Sequence, residues 1–212
     1  MQGAFWSHDE NPARPHPLLT DEFHSYRYTN SDLALEDPVF VKWACETLVA
    51  NLHNSCRVET WKIDRVVGPA MGAIPLAIGL AAEISRPRAS PCKWSYGLKM
   101  GEGSERKFSL ARARILPGEQ VLLCEDALTT GSSTRLLAKA VEETGGIVLP
   151  YVATIISQAN LTRIDGRKIV CLLHREFLIS SARECHLCAI GSKPIRPKGI
   201  DNWTLLNANY PA

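Results

Sequence analysis

Hydrophobic and polar positions fall in blocks along this chain, and the blocks change period from strand-like to helical. Val121-Leu122-Leu123-Cys124 is an apolar run that suits a strand buried on both faces. After it, Leu137, Ala140, Val141 and Thr144 recur at helical spacing, and Gly145-Gly146 supplies a stop. Upstream, Arg65–Gly68 reads as a short strand and an apolar helix begins near Ala73. Asp37-Pro38 is an N-cap followed by proline at the first helical position. Phe40, Ala44, Leu48 and Leu52, with Trp43 and Thr47 beside them, then form one apolar face. The spacing predicts a core-packed helix over 38–52, with Trp43 and Cys45 as packing residues. Ile147–Ile156, with Pro150 near its start, and Lys168–Leu173 read as further strands. Strands that alternate with helices predict an α/β fold with an open, mostly parallel, doubly wound sheet.

The ends of the chain are less periodic. Residues 1–16 read as a mobile or draped arm, and residues 201–212 as a tail. Leu18–Asp32 has partial alternation and β-favouring aromatics, which predicts a short hairpin. His8, His16 and His24 are widely spaced and read as solvated rather than as a metal site.

Bulk properties narrow the classes. At 212 residues and 45% hydrophobic, the chain suits one α/β domain with extensions and a sizeable core. A net charge of +2 and the absence of a basic stripe argue against nucleic acid, and no apolar run approaches a membrane span. No signal peptide is visible at the start, and seven scattered cysteines fit reduced thiols in the cytoplasm.

The chemistry sits at the turns. Glu125-Asp126 ends the first apolar run, and Thr129-Thr130-Gly131-Ser132-Ser133 leads into the helix. Free amides and a positive dipole end at a helix N-terminus suit a phosphate, and paired carboxylates suit vicinal sugar hydroxyls. Gly68-Pro69-Ala70-Met71-Gly72-Ala73 is a second turn of small residues, whose backbone an anion can approach closely. Residues 97–118 are polar, Gly-rich and basic, and read as a long functional loop. No Ser/His/Asp or Cys/His triad is apparent.

The apolar run, two acids and Thr-Thr-Gly-Ser-Ser string closely resemble the phosphoribosyl-pyrophosphate (PRPP) motif of the type I phosphoribosyltransferases. The Gly68–Ala73 turn is similar to the form typical of the orotate enzymes, and the likeness extends over nearly all of residues 18–198. The resemblance implies a five-stranded core with a small hood from N- and C-terminal segments, about 17–36 and 174–200, within a domain over 17–200. It implies that Thr129, Thr130, Gly131, Ser132 and Ser133 hold the 5-phosphate. Glu125 and Asp126 would bind the ribose as catalytic groups, directly or through Mg²⁺. Ala70, Met71, Gly72 and Ala73 would meet the pyrophosphate, with Arg106, Lys107 and Arg112, and Lys99 behind them. Arg27, Tyr28 and Thr129 would line the base. PRPP and a nitrogen base are the implied partners, and a homodimer the implied assembly.

Orotate is the base that overall likeness implies, yet two positions depart from that pattern. Thr20 stands where a PRPP-contacting lysine is expected, and Ser157-Gln158 replaces an Asp-Arg pair whose arginine holds the orotate carboxylate. A transferase for another base and a non-catalytic PRPP-binding regulator are the competing readings. Cys185-His186-Leu187-Cys188 offers two zinc ligands where a structural site needs four, so it reads as a tight turn with reduced thiols. His186, His174 or a partner subunit would be needed to complete a metal site.

Overall fold

The computed structural model describes residues 3–19, 22–101, 105–110, 114–158 and 160–211. The chain begins with four short strands, β1 (Phe5–Ser7), β2 (His16–Pro17), β3 (His24–Ser25) and β4 (Arg27–Thr29), and a helical turn, α1 (Ser31–Leu35). The central part follows as α2 (Pro38–Asn54), β5 (Arg65–Pro69), α3 (Ile74–Ser85), β6 (Lys93–Met100), β7 (Lys107–Ser109), β8 (Gln120–Leu128), α4 (Ser132–Glu142), β9 (Ile147–Ser157), β10 (Arg163–Ile164) and β11 (Arg167–His174). Short elements close the chain: β12 (Ile179–Ser180), α5 (His186–Ala189), β13 (Pro194–Ile195) and α6 (Asn202–Asn207). Two compact units result, one from Ala34–Arg175 and one from Met1–Leu33 with Glu176–Ala212.

The larger unit is built on a seven-stranded sheet in the order β10-β11-β9-β8-β5-β6-β7. The five strands from β11 to β6 are parallel, and β10 and β7 pair antiparallel at the edges. Successive side chains on a strand point to opposite faces, and the buried residues divide accordingly. Val66, Leu122, Ala153 and Val170 pack with α2 and α3, while Val67, Leu123, Val152 and Ile169 pack with Leu137, Ala138 and Val141 of α4. This is the doubly wound architecture. The register between β8 and β9 shifts between Val121 and Leu123, opposite the segment that carries Pro150, which has no amide hydrogen to pair.

The Asp37 carboxylate accepts from the Val39 amide at 2.9 Å and so caps α2. Trp43 departs from its predicted packing role, being 53% exposed. The buried stripe of α2 is Ala44, Cys45, Leu48 and Leu52, and Trp43 lies on the opposite side of that stripe. Residues 97–118 also differ from the single loop expected. Gly97–Met100 completes β6, and Leu98 and Met100 pair with Ser109 and Lys107 of β7. The strand escaped the pattern because its apolar members Trp94, Leu98 and Met100 are exposed, while Ser95 and Gly97 are buried.

The smaller unit corrects four expectations. Residues 5–7 are a strand rather than a draped arm: β1 pairs with β4, and Ala4 and Trp6 are buried. The predicted hairpin over 18–32 does not form as such, because β3 pairs with β12 and β2 with β13, beside a lone bridge from Leu18 to His24. His8, His16 and His24 are 8%, 0% and 5% exposed, not solvated. The segment read as a tail contains α6, whose Leu206 is buried and whose carbonyl accepts from Trp6 Nε1 at 2.9 Å.

Candidate active site

The chain reverses its winding between β5 and β8. From β5 it crosses through α3 to β6 on one side, and from β8 through α4 to β9 on the other. The carboxyl ends of these neighbouring strands therefore flank a topological switch point, where open α/β sheets bind ligands. Both small-residue turns sit there, Gly68–Ala73 after β5 and Thr129–Ser133 at the end of β8.

The two acids take different surroundings because they are neighbours on one strand. Glu125 faces α4 and is 9% exposed, and the Thr134 hydroxyl donates to its carboxylate. Burial pushes the Glu125 carboxyl up to about 7; the Thr134 bond and the Lys99 charge pull the other way, and Asp126 adds to the rise. Asp126 faces the first turn: a methyl group on Gly72 would stand 2.7 Å from its Oδ2. It is half-buried where Glu125 is enclosed. Asp126 is therefore the carboxylate presented to the crevice.

The amides of the first turn divide as well. Ala70 donates to the Gly97 carbonyl at 2.8 Å and Ala73 to Pro69 at 3.3 Å. Those of Met71 and Gly72 have no backbone partner among the described residues, so they are the pair open to an anion. The Ala70–Met71 peptide is cis. Gly68 is held close, since a methyl there would meet Ala73 Cβ at 2.8 Å and Cys124 Sγ at 2.9 Å.

Gly131 is the N-cap of α4 with φ 75°, a left-handed conformation that glycine adopts without steric cost. The first-turn amides of α4, from Ser132 onward, have no intrahelical partner, and that of Ser132 donates to Thr130 Oγ1 at 3.4 Å. Two residues that the sequence reading passed over brace this loop. Arg135 donates to the Thr130 carbonyl at 2.9 Å and to Asp165 Oδ1 at 3.0 Å, and Thr134 ties the helix to Glu125. Thr134 lies nine positions after the acid it binds, and Asp165 lies on a later turn, so neither bond has a local signal.

Among the basic candidates, Lys99 is exposed on β6 and its charge reaches Glu125. Lys107 is exposed on β7 and Arg106 half-buried just before it, while Arg112 lies outside the described residues. Thr129 is half-buried at the loop. Arg27 and Tyr28 belong to the smaller unit, where they pair with Ser7 and Trp6, and the Tyr28 ring lies 6.0 Å from that of Trp203. Ser157 and Gln158 are buried at the end of β9, with the Gln158 amide bonded to the Leu128 carbonyl at 2.7 Å. Thr20 is outside the described residues.

A doubly wound sheet that brings two turns of small residues and one carboxylate to its switch point has the architecture of nucleotide- and phosphosugar-handling folds. The family model of the phosphoribosyl transferase domain matches residues 35–173, and the chain belongs to that family. Its full-length likeness is to orotate phosphoribosyltransferases: the one from Acidithiobacillus ferrooxidans is 32% identical, covering 92% of this chain and 93% of that protein. That from Nitratiruptor sp. is 31% identical over 88% of this chain and 92% of its own. Among solved structures, the orotate phosphoribosyltransferase from Aeropyrum pernix superposes with a TM-score of 0.56 at 18% identity, covering 76% of this chain and 86% of that one. The adenine phosphoribosyltransferase from Thermoanaerobacter pseudethanolicus gives 0.56 at 21%, over 76% and 95%. At such identities the structures speak for the fold alone.

Proposed function

We propose that this chain transfers ribose 5-phosphate from PRPP to orotate, releasing pyrophosphate, as a cytoplasmic homodimer in pyrimidine nucleotide synthesis. The observation that carries the reading is the placement of both anion-binding turns at adjacent strand ends with Asp126 between them. The loop Thr129–Ser133 and the first turn of α4 receive the 5-phosphate. Met71 and Gly72 present amides to the pyrophosphate, with Lys99, Arg106 and Lys107 as its cations. The bond from ribose C1 to the pyrophosphate oxygen breaks with the electron pair leaving on oxygen, a base nitrogen gives its lone pair to C1, and the proton that nitrogen carried passes to solvent. The ribose passes through an oxocarbenium-like state, for which Asp126 is the electrostatic partner. No covalent nucleophile is needed.

Mg²⁺ fits this donor set. It prefers hard oxygen ligands with few protein groups, and Asp126 supplies one carboxylate at the crevice while Glu125 is engaged by Thr134. When bound it neutralises charge on the leaving pyrophosphate. The exposed Val39 and Trp43, one turn apart on α2, support a subunit contact in a homodimer, which light scattering tests.

Ser157-Gln158 favours a second reading, a transferase for another base, because a neutral amide is a weaker carboxylate partner than a guanidinium. Pyrophosphate release is measured from PRPP and Mg²⁺ with a panel of bases. Release with orotate supports the first reading, release with another base alone supports the second, and PRPP binding without release makes the chain a regulator. Asp126→Asn should lower kcat/KM by about 100-fold or more with an unchanged unfolding midpoint. Unchanged kinetics would remove Asp126 from the site.

A further inference from the structure

Four side chains of the smaller unit converge on one point. The ligand atoms of His16, His24, Cys185 and Cys188 all lie within 4.8 Å of one another. We propose that they hold a structural zinc ion, independently of the transferase reading above.

The distances are those of a coordination shell. With zinc–nitrogen bonds of about 2.0 Å and zinc–sulfur bonds of about 2.3 Å, a tetrahedron has nitrogen–sulfur edges of about 3.5 Å. His16 Nε2 lies 3.7 Å from Cys185 Sγ and 3.6 Å from Cys188 Sγ, and His24 Nδ1 lies 3.3 Å from Cys188 Sγ. The two ring nitrogens are 2.8 Å apart, and zinc would spread them to about 3.3 Å, a shift of a few tenths of an ångström.

The His16 ring is also set in the right tautomer. The Ser192 hydroxyl donates to the Arg14 carbonyl at 2.6 Å, so its oxygen accepts from His16 Nδ1–H at 2.8 Å. That leaves the Nε2 lone pair aimed at His24, Cys185 and Cys188. A metal-bound histidine ordinarily has its second nitrogen held in this way. The Arg14 carbonyl is in turn held by His8 Nε2 at 3.0 Å, whose Nδ1 accepts from the Glu10 amide at 2.9 Å.

The fold supplies the reason for such a site. His16 stands on β2 and His24 on β3, two-residue strands that pair with β13 and β12 from the far end of the chain. Cys185 caps α5 and Cys188 lies within it. Among the described residues, neither apolar cluster includes one of this unit, and His16, His24 and Cys185 are buried there. Small units without a core of their own are commonly held by a metal or a disulfide. Two imidazoles and two thiolates suit zinc, and four protein ligands leave no open position, so the role is structural.

The full chain, purified without a tag and dialysed against metal-free buffer, should carry about one zinc per chain by mass spectrometry of the metal. Cys188→Ser should lower that content at least tenfold, and Cys171→Ser, a thiol outside the cluster, should leave it unchanged. Where Cys188→Ser does not fold, the wild-type chain is stripped by a chelator and given Co²⁺. Thiolate-to-cobalt charge-transfer bands with tetrahedral visible bands support the site. Equal zinc in wild type and Cys188→Ser, or a stripped wild-type chain that gives no thiolate bands with Co²⁺, overturns it.

Discussion

Gly72 Cα and the Asp126 carboxylate are in direct apposition across the crevice, with room for a hydrogen and none for a methyl. An added Cβ would stand 2.7 Å from Oδ2 and 3.3 Å from Oδ1. Contacts below about 3 Å force one side to move, and here both sides belong to the proposed ligand site. Gly72→Ala should therefore lower kcat/KM for PRPP by about tenfold or more, the equivalent of about 1.4 kcal/mol. Its unfolding midpoint in urea should stay near wild type, because the turn is at the surface of the sheet. A variant with normal PRPP kinetics would place the pyrophosphate elsewhere.

Glu125 gives a pH dependence of known sign. Its usual value is 4.5, and burial raises it to about 7 in the folded chain. Between these values the unfolded chain releases a proton that the folded chain keeps, so stability falls as pH rises from about 4.5 to about 7. The loss is up to about 3 kcal/mol at 1.36 kcal/mol per unit. Glu125→Gln keeps an oxygen for the Thr134 hydroxyl and carries no charge. Its urea midpoint should lose the downward slope over that window and exceed wild type at pH 8. Parallel pH profiles for the two proteins would show that Glu125 is ionised throughout.

The central part of this architecture was legible from hydrophobic period, because β8, α4 and α2 bury the residues that carry it. Strand β6 was not, since its apolar residues face outward and its buried members are Ser95 and Gly97. Trp43 misled for the related reason that residue type and helical phase disagreed. The ligand turns were readable as ordered strings of small and acidic residues, but which amides and which acid face the crevice depends on partners remote in sequence, such as Gly97 and Thr134. The smaller unit was the least legible. Its strands are two or three residues long and pair across the length of the chain, so neither period nor turn chemistry marks them.

Arg65 and Glu119 form a nearly enclosed pair at the opposite end of the sheet from the crevice. Arg65 donates to both Glu119 oxygens at 2.9 and 3.2 Å, and also to Ser95 Oγ at 2.7 Å and the Arg114 carbonyl at 3.0 Å. Burial would raise the Glu119 carboxyl, but the Arg65 hydrogen bonds, a backbone hydrogen bond at Leu116 and the charges of Arg65 and Lys93 together outweigh it and hold the group below its usual 4.5. The stability it contributes is thus present above about pH 4.5 and lost as pH falls through the lower folded value. Glu119→Gln strands a buried guanidinium and should cost about 3–5 kcal/mol by urea denaturation at pH 7. The gap between variant and wild type should close in acid. A gap that is constant with pH would mean that packing, not charge, holds the pair.

Gly131 combines two constraints that a double-mutant cycle separates. Its φ of 75° costs a side-chain-bearing residue about 1–2 kcal/mol, and a methyl there would also meet Ile164 Cδ1 at 2.8 Å and Cγ1 at 3.0 Å. Gly131→Ala should therefore destabilise by more than the backbone cost alone, and should weaken PRPP binding by tilting the loop that precedes α4. Ile164→Ala opens a fully buried position and should cost about 2–5 kcal/mol by itself. In the double variant the new methyl enters the space that Ile164 vacates. The double variant should be less destabilised than the sum of the singles, with a coupling of about 1 kcal/mol or more in urea denaturation. The backbone share remains, so PRPP affinity should recover only in part. Strict additivity would mean that the loop moves away from β10 to admit the methyl, and that Gly131 is required for its φ alone.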